Sequence, residues 1–341
     1  MPIRARYLAY IGLVVVVCWF LFLGREVLTP FVFAVVFAYL LDPVVSFFSD
    51  KIHLPRTLAI VIIYLGILAI LIGGGYFLGR RLVFEVKEFA HETRIVFSET
   101  EIEKIISSLP DWAAAVLPEI TTNLKNSVNF SAQQVAKVFS GTLSSLASIF
   151  IFLMALFYFL QGRQNFYANI ERSLPLKFRV EFVIVIRKIQ QVLGGYFRAQ
   201  MLLVIIMSLF GLVLFNLLGI RYALILSLVI GLAEIIPIIG PIIALFCILL
   251  VGMISGGASS LSFPMALEIP LVGAIYLILN QLENMFIVPQ ITGRMVQLHP
   301  LLILISVLIG GQIFGAIGFL LAVPVVASVK VIFNHLLDFL D

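Results

Sequence analysis

The chain has 341 residues, of which 62% are hydrophobic and 12% charged, with a mean hydropathy of +1.16. A soluble domain carries about 25% charged and 45–50% apolar residues, so a water-soluble globule of this size could not hide the apolar surface, and lipid has to be the solvent. The formal net charge of +4 does not point to nucleic acid, because the positive charges gather in loops that flank apolar runs.

In chain order, Arg4 and Arg6 precede an apolar run over 7–23. Its length, and the lack of a small-x-small cleavage site after it, predict an uncleaved first span rather than a signal peptide. Runs over 29–49, 57–79, 141–161, 200–219 and 264–288 each reach the roughly 20 apolar residues that a transmembrane helix needs. Spans one to three thus occupy 1–80, and span four 141–162.

Residues 81–140 hold six Lys/Arg and eight Asp/Glu, which places this segment in water. Ile102, Ile105, Ile106 and Leu109 recur at helical spacing, as do Trp112, Val116 and Ile120, with breaks at Pro110 and Pro118. Short amphipathic helices are predicted there, and Ser131 with Gln134 resembles a capping box. Residues 163–199 form a basic loop with seven Lys/Arg against Glu171 and Glu181. Phe182, Ile186, Ile189, Leu193 and Tyr196 give it one apolar face, the pattern of an interfacial helix.

The rest of the chain, 200–341, is the expected transport core. Besides its two spans it holds apolar stretches over 222–255 and 300–334, each a helix of roughly 50 Å if continuous. That is too long for one span and too short for two. Pro237-Ile238-Ile239-Gly240-Pro241 interrupts the first; Gly310-Gly311, Gly315, Gly318 and later Pro324 interrupt the second. Two half-helices in each is the economical reading, and such breaks are tolerated where they are buried or line a cavity. Sliding the chain by 79 positions sets Ser227 on Ser306 and Gly231 on Gly310 within matching apolar runs. Paired broken segments point to a transporter's binding site. The fold class is therefore all-α polytopic integral membrane protein: six full transmembrane helices, two broken re-entrant hairpins and a small amphipathic segment outside the membrane.

Excess Lys/Arg in short loops marks the cytoplasmic side. Arg4 and Arg6, Lys51 and Arg56, and the 163–199 loop then lie inside and 81–140 outside, with both termini cytoplasmic. Hairpins and continuous spans both leave the C-terminus inside; they differ in the side assigned to Arg294.

After residue 200 the only charged residues are Arg221, Glu234, Glu268, Glu283, Arg294, Lys330, Asp338 and Asp341. A charge in the bilayer needs a partner, water or a function. Glu234 stands three residues before the Pro237 break, either as a proton carrier or polar-substrate ligand, or as a structural carboxylate accepting bonds from the broken backbone. Asn280, Gln281, Glu283 and Asn284 interrupt an apolar span. Asn280, Glu283 and Asn284 share a helical face that serves either a substrate or ion path or interhelical hydrogen bonding. Glu268 is expected at the interface. Arg294 and His299 would meet a carboxylate or lipid headgroups. Gly73-Gly74-Gly75 and Gly311-x-x-x-Gly315 read as close helix packing or as substrate-lining backbone.

Cys18 and Cys247 lie in apolar runs and form no disulfide or metal pattern, and the histidines are scattered. No Walker motif, G-x-S-x-G, HExxH or Cys-x-x-Cys occurs, so neither ATP use, nor an enzyme, nor a cofactor or metal is expected.

Pro30-Phe31 with Ala38-Tyr39-Leu40-Leu41 and Pro43 stands near the start of the chain. Gly195-Tyr196-Phe197-Arg198-Ala199-Gln200 and Glu234-Ile-Ile-Pro237-Ile-Ile-Gly240-Pro241 follow. Gln281-x-Glu283-Asn284 with Pro289, and His299-Pro300 through Gly310-Gly311 to Ala322-Val323-Pro324, complete the set. Together they resemble the autoinducer-2 exporter family of bacterial transporters over nearly the whole chain, with Ala199 standing where glycine is expected. The resemblance implies a secondary transporter of the bacterial inner membrane, assembled as a homo-oligomer, with a pentamer as one form. Its cargo would be a small polar metabolite or signal, exported with proton coupling, or a sodium or lithium ion exchanged for protons. A membrane scaffold or accessory permease subunit is the reading from another class. On any of them the path residues are Glu234, Pro237, Gly240, Pro241, Asn280, Gln281, Glu283, Asn284, Arg294, Gly310 and Gly311, and the partners are the lipid bilayer, the transported solute or cation and the proton, not nucleic acid.

Overall fold

A computed structural model describes residues 24–96, 143–173, 176–254, 265–292 and 298–340. The described residues form helices and no strands. Among the described residues, five helical stretches are long and apolar enough to cross a bilayer: Val27–Lys51, Arg56–Phe89, Arg179–Leu217, Leu267–Ile291 and Ala316–Leu337. Large apolar side chains stay exposed along them, such as Ile70, Phe77 and Leu217, as lipid-facing surfaces require. The protein is an all-α polytopic membrane protein. The expected first span at 7–23, the amphipathic helices and capping box between 97 and 140, and Arg294 lie outside the described residues.

The helices are α1 (Arg25–Ser46), α2 (Arg56–Val96), α3 (Leu143–Ser173), α4 (Leu176–Leu217), α5 (Ala223–Ala233), α6 (Ile239–Ile254), α7 (Met265–Leu282), α8 (Val288–Thr292), α9 (Pro300–Phe314) and α10 (Ala316–Leu340). Two sequence boundaries shift. The aqueous segment expected to begin at 81 begins as a continuation of α2, a helix of 41 residues. The interfacial helix of 163–199 and the span of 200–219 merge into the single 42-residue α4. Both shifts have one cause: no proline stands in either helix, and Gly79, Gly194 and Gly195 near the junctions each cost only about 1 kcal/mol in a helix interior, too little to end it. The apolar stretch Ala147–Gly162 of the fourth span belongs to a helix of 31 residues, Leu143–Ser173.

Two compact units are distinguished. One comprises the described parts of Met1–Ile63, Leu143–Phe197 and Ile305–Asp341; the other comprises those of Tyr64–Thr142 and Arg198–Leu304. In the first, α1 packs on α3, with Phe37 edge-on to Phe152 at 5.5 Å. Arg56 ties this pair, bonding the Asp42 carboxylate at 2.7 Å and the Leu160 carbonyl at 2.8 Å. In the same unit Gly310 and Gly311 face α10: a Cβ on Gly310 would lie 2.8 Å from the Gly318 carbonyl oxygen, and one on Gly311 would enter the Phe319 ring. These glycines therefore serve close helix crossing, and the chain breaks instead at Gly315, with φ +60°. Pro324, expected as a further interruption, lies inside α10.

In the second unit, Gly219 (φ +65°) ends α4, and Ile220 N–H reaches back to the Phe215 carbonyl at 2.9 Å, a left-handed stop that glycine makes without steric cost. The chain then doubles back into α5 and α6. Their core comprises Met207, Phe215, Leu226, Ile230, Ala244 and Tyr276 with their neighbours. Gly231 sets the spacing: a Cβ there would lie 2.6 Å from the Val204 carbonyl oxygen and collide with the Ser208 hydroxyl.

Candidate functional site

The site is built where α5 stops. Eleven residues at about 1.5 Å each make α5 roughly 16 Å long, about half the thickness of a hydrocarbon core. Glu234 is its C-cap, and Ile235–Ile238 form the turn into α6. Pro237 belongs to that turn. Gly240 and Pro241 fall in the first turn of α6, where a proline's missing N–H goes unneeded. Gly240 is required by proximity, since a Cβ would run into the Ala233 carbonyl. Ile238 takes φ +70°, a left-handed conformation costly for a β-branched residue and held by the packed hairpin around it.

A break in a helix frees carbonyls that must find donors inside the membrane. One such carbonyl, that of Glu234, and a second carbonyl in the first turn of α6 are bonded by side chains outside the expected path residues. The Gln200 amide, from α4, donates to the Glu234 carbonyl. The Tyr276 hydroxyl, from α7, donates to the Pro241 carbonyl at 3.3 Å. Gln200 is a polar residue in an apolar run, a signal that sequence reading can use; Tyr276 carries no such mark.

The backbone thus being served by other groups, the Glu234 side chain is left for something else. It is 7% exposed, and Glu283 is 1% exposed. The two carboxyls face one another within hydrogen-bonding reach. Asn280 Nδ2 donates to Glu283 Oε2 at 3.3 Å, while Oε1 of each glutamate is buried without a hydrogen-bond partner. Two elements 49 positions apart in sequence are thereby joined through paired acids.

Glu283 owes its aim to an irregularity. Residues Glu283–Ile287 form a π turn between α7 and α8. Pro289 follows, and a proline lacks the N–H and crowds the carbonyl four residues earlier. Widening the helix by one residue accommodates it, and such π bulges occur frequently at functional sites. The extra residue also rotates the polar cluster. Glu283 points inward, Asn280 is half-buried, and Gln281 and Asn284 are exposed. Asn284 Nδ2 donates back to the Asn280 carbonyl at 2.9 Å and to Asn280 Oδ1 at 3.2 Å. The structure therefore joins Glu234, Asn280 and Glu283 and leaves Gln281 off that cluster; Gly310 and Gly311 belong to the other unit.

Glu268, expected at the interface, is 3% exposed in the first turn of α7 with Oε1 unpartnered. It shares one buried face with Val272 and Tyr276 at intervals of four residues. His299 is exposed and accepts the Leu301 N–H at 3.2 Å, capping α9 locally. Among the described residues no group of three or more His, Cys, Asp or Glu is arranged to hold a metal ion.

The chain matches the family model described as AI-2E family transporter over residues 9–338. It is similar to the Bacillus subtilis (strain 168) protein named "Putative transport protein YrrI", 27% identical over 92% of this chain and 87% of that protein. The Escherichia coli (strain K12) protein named "Putative permease PerM" is 25% identical over 94% of this chain and 91% of its own length. The "Sodium-lithium/proton antiporter" of Halobacillus andaensis is 24% identical over 93% of this chain and 92% of its own.

Proposed function

This chain belongs to the AI-2E family of membrane transporters, and on that premise we propose that it is a proton-coupled secondary transporter whose coupling site is the Glu234–Glu283 pair. The observation that carries the proposal is two buried carboxyls facing one another across a broken helix. Two carboxylates in contact repel, and either one proton or one cation between them relieves the repulsion. A site that holds either, but not both at once, is the minimal device for exchange.

The geometry favours a monovalent cation as the exchanged species. The C-terminal end of α5 carries the negative end of its helix dipole, and such half-helix ends, with unwound backbone carbonyls, are where transporters coordinate sodium or protons. Glu234 and Glu283 supply the oxygen ligands, and Asn280, which donates to Glu283 Oε2, orients one of them. The relative from Halobacillus andaensis, named as a sodium-lithium/proton antiporter, agrees with this reading. A second reading, export of a small polar solute driven by protons, is favoured by the Asn280–Asn284 amide pair beside the carboxyls, which offers donors and acceptors suited to hydroxyl groups. The excess of Lys/Arg over 163–199 supports a cytoplasmic side for that segment and for both termini, and family membership supports a homo-oligomer of the bacterial inner membrane.

Everted vesicles test the proposal. After respiration has acidified the lumen, added lithium or sodium collapses the proton gradient in the wild type. The same addition leaves the gradient standing in Glu234→Gln and Glu283→Gln, with both variants inserted and assembled normally. Undiminished exchange in Glu283→Gln refutes the coupling site. If neither ion acts, but a hydroxylated solute loaded into proteoliposomes leaves faster under an imposed proton gradient, the second reading replaces the first.

A further inference from the structure

We propose that Glu85 is a positioning residue for this site, a carboxylate on α2 that clamps the N-terminus of α5 and so fixes where Glu234 stands at the other end. The inference rests on the carboxyl-pair reading of the function, and it extends the site to a residue outside the family-like motifs.

The first N–H groups of any helix lack partners within it, and inside a membrane protein those partners must come from the protein. Helix α5 begins after Tyr222, which sits in the left-handed region at φ 58° and makes no side-chain cap. A tyrosine there has no short side-chain oxygen to turn back on the backbone, unlike the usual Ser, Thr, Asp or Asn. The cap is supplied from 139 positions away: Glu85 Oε2 accepts the N–H of Leu224 at 3.1 Å and of Ile225 at 3.1 Å. A carboxylate at this end also complements the positive end of the helix dipole.

Glu85 is held in turn. Arg81 Nε bonds Glu85 Oε1 at 2.8 Å, and the other side of the same guanidinium bonds Asn216 Oδ1 at 2.9 Å. Asn216 is anchored through its Nδ2 to the Leu212 carbonyl on α4 at 2.6 Å. One turn further along α2, Phe89 meets the Tyr222 ring edge-on at 5.4 Å, and two turns further Glu92 pairs with Arg221 at 2.9 Å. The connection from α4 to α5 is thus gripped by three successive turns of α2. Glu85 itself is 6% exposed, yet it borders an open cavity of about 380 Å³ lined also by Arg81, Glu88, Asn216, Arg221 and Tyr222, so the clamp is within reach of water and ions.

The link to the transport site is the brevity of α5. A helix of three turns moves as a rod, and Gly231 seats it against Ser208 on α4 with no slack. Releasing its N-terminus therefore displaces its C-cap, Glu234, against Glu283. A cap of mere stability would leave the geometry of the carboxyl pair unchanged in the protein that still folds.

The test uses the full-length protein in proteoliposomes, with two readouts: lithium-evoked proton flux, and the rate at which dicyclohexylcarbodiimide labels Glu234, followed by mass spectrometry. Hydrogen exchange of the segment 223–234 reports the clamp itself. In Glu85→Ala, exchange of that segment rises, Glu234 labelling changes by about fivefold, and the half-saturating lithium concentration shifts by about five- to tenfold, the scale of a lost cap. Glu85→Gln keeps an acceptor oxygen and recovers most of each change. Arg81→Gln, which leaves Glu85 in place but unaimed, gives an intermediate result and serves if the alanine variant does not fold. Unchanged exchange in Glu85→Ala overturns the clamp. Raised exchange with unaltered Glu234 labelling overturns its positioning role. Absence of lithium flux in the wild type refutes the cation reading alone, because labelling of Glu234 still decides the present proposal.

Discussion

Replacing Gln200 by methionine keeps the length of the side chain and removes its donor. In the native protein that amide meets the Glu234 carbonyl, between residues that are each 7% exposed. The turn's own backbone bonds run to the carbonyls of Ile230, Gly231, Leu232, Ala233, Ile236 and Pro237, so Gln200 is the donor on which the Glu234 carbonyl depends. A buried acceptor stripped of its donor costs about 1–3 kcal/mol, whereas side-chain bonds between membrane helices average about 0.6 and reach about 1.7 kcal/mol. The two ranges overlap near 1.5 kcal/mol, and the upper membrane value applies because this carbonyl lies in a helix break with no alternative partner. A loss of about 1.5 kcal/mol is roughly a tenfold change in the folding equilibrium. Equilibrium unfolding in mixed micelles reads it directly, with Leu202→Met on the exposed side of the same helix as the control. Because the lost bond fixes the residue that bears the coupling carboxyl, lithium-driven flux falls along with stability. A Gln200→Met protein matching the wild type in both measurements refutes the account of how the broken helix is satisfied.

Gly231→Ala forces a Cβ to 2.6 Å from the Val204 carbonyl oxygen and destabilises by about 1–3 kcal/mol; Ser208→Ala in the same chain recovers only part, since the carbonyl remains, and thermal unfolding in detergent ranks the three proteins. Gly315→Ala meets no neighbour, although it must hold φ +60°, so its cost is the backbone term of about 1–2 kcal/mol, smaller than that of Gly240→Ala measured the same way. Arg56→Lys cannot bond both Asp42 and the Leu160 carbonyl as the guanidinium does. The pair is about one-fifth exposed, so the loss is about 1–2 kcal/mol; an unchanged unfolding midpoint removes Arg56 from the forces holding α1 to α3.

Membrane residence, the all-α class and the place of the first break are properties of the sequence alone. Hydropathy over 20 residues reflects a transfer free energy that each segment carries by itself, and proline with glycine at 237–241 interrupts a helix whatever surrounds it. The intramembrane glutamates were equally legible, because a charge in an apolar run is conspicuous without any fold. What the sequence left open at Glu234 was which partner its carboxyl finds. That is a question of which groups other helices bring: Gln200 from α4 takes the Glu234 backbone carbonyl, Tyr276 from α7 takes that of Pro241, and Glu283 from the π turn behind α7 meets the carboxyl. Likewise the face shared by Asn280, Glu283 and Asn284 follows from an ideal helical period, and the bulge before Pro289 changes that period locally, turning Glu283 inward and Asn284 outward. Glu85 was invisible for the same reason: it is one acid in an aqueous-looking segment until folding sets it on a helix N-terminus 139 positions away. Local propensity and solvent partition are written along the chain; the pairing of orphaned backbone groups with distant side chains exists only once the helices have packed.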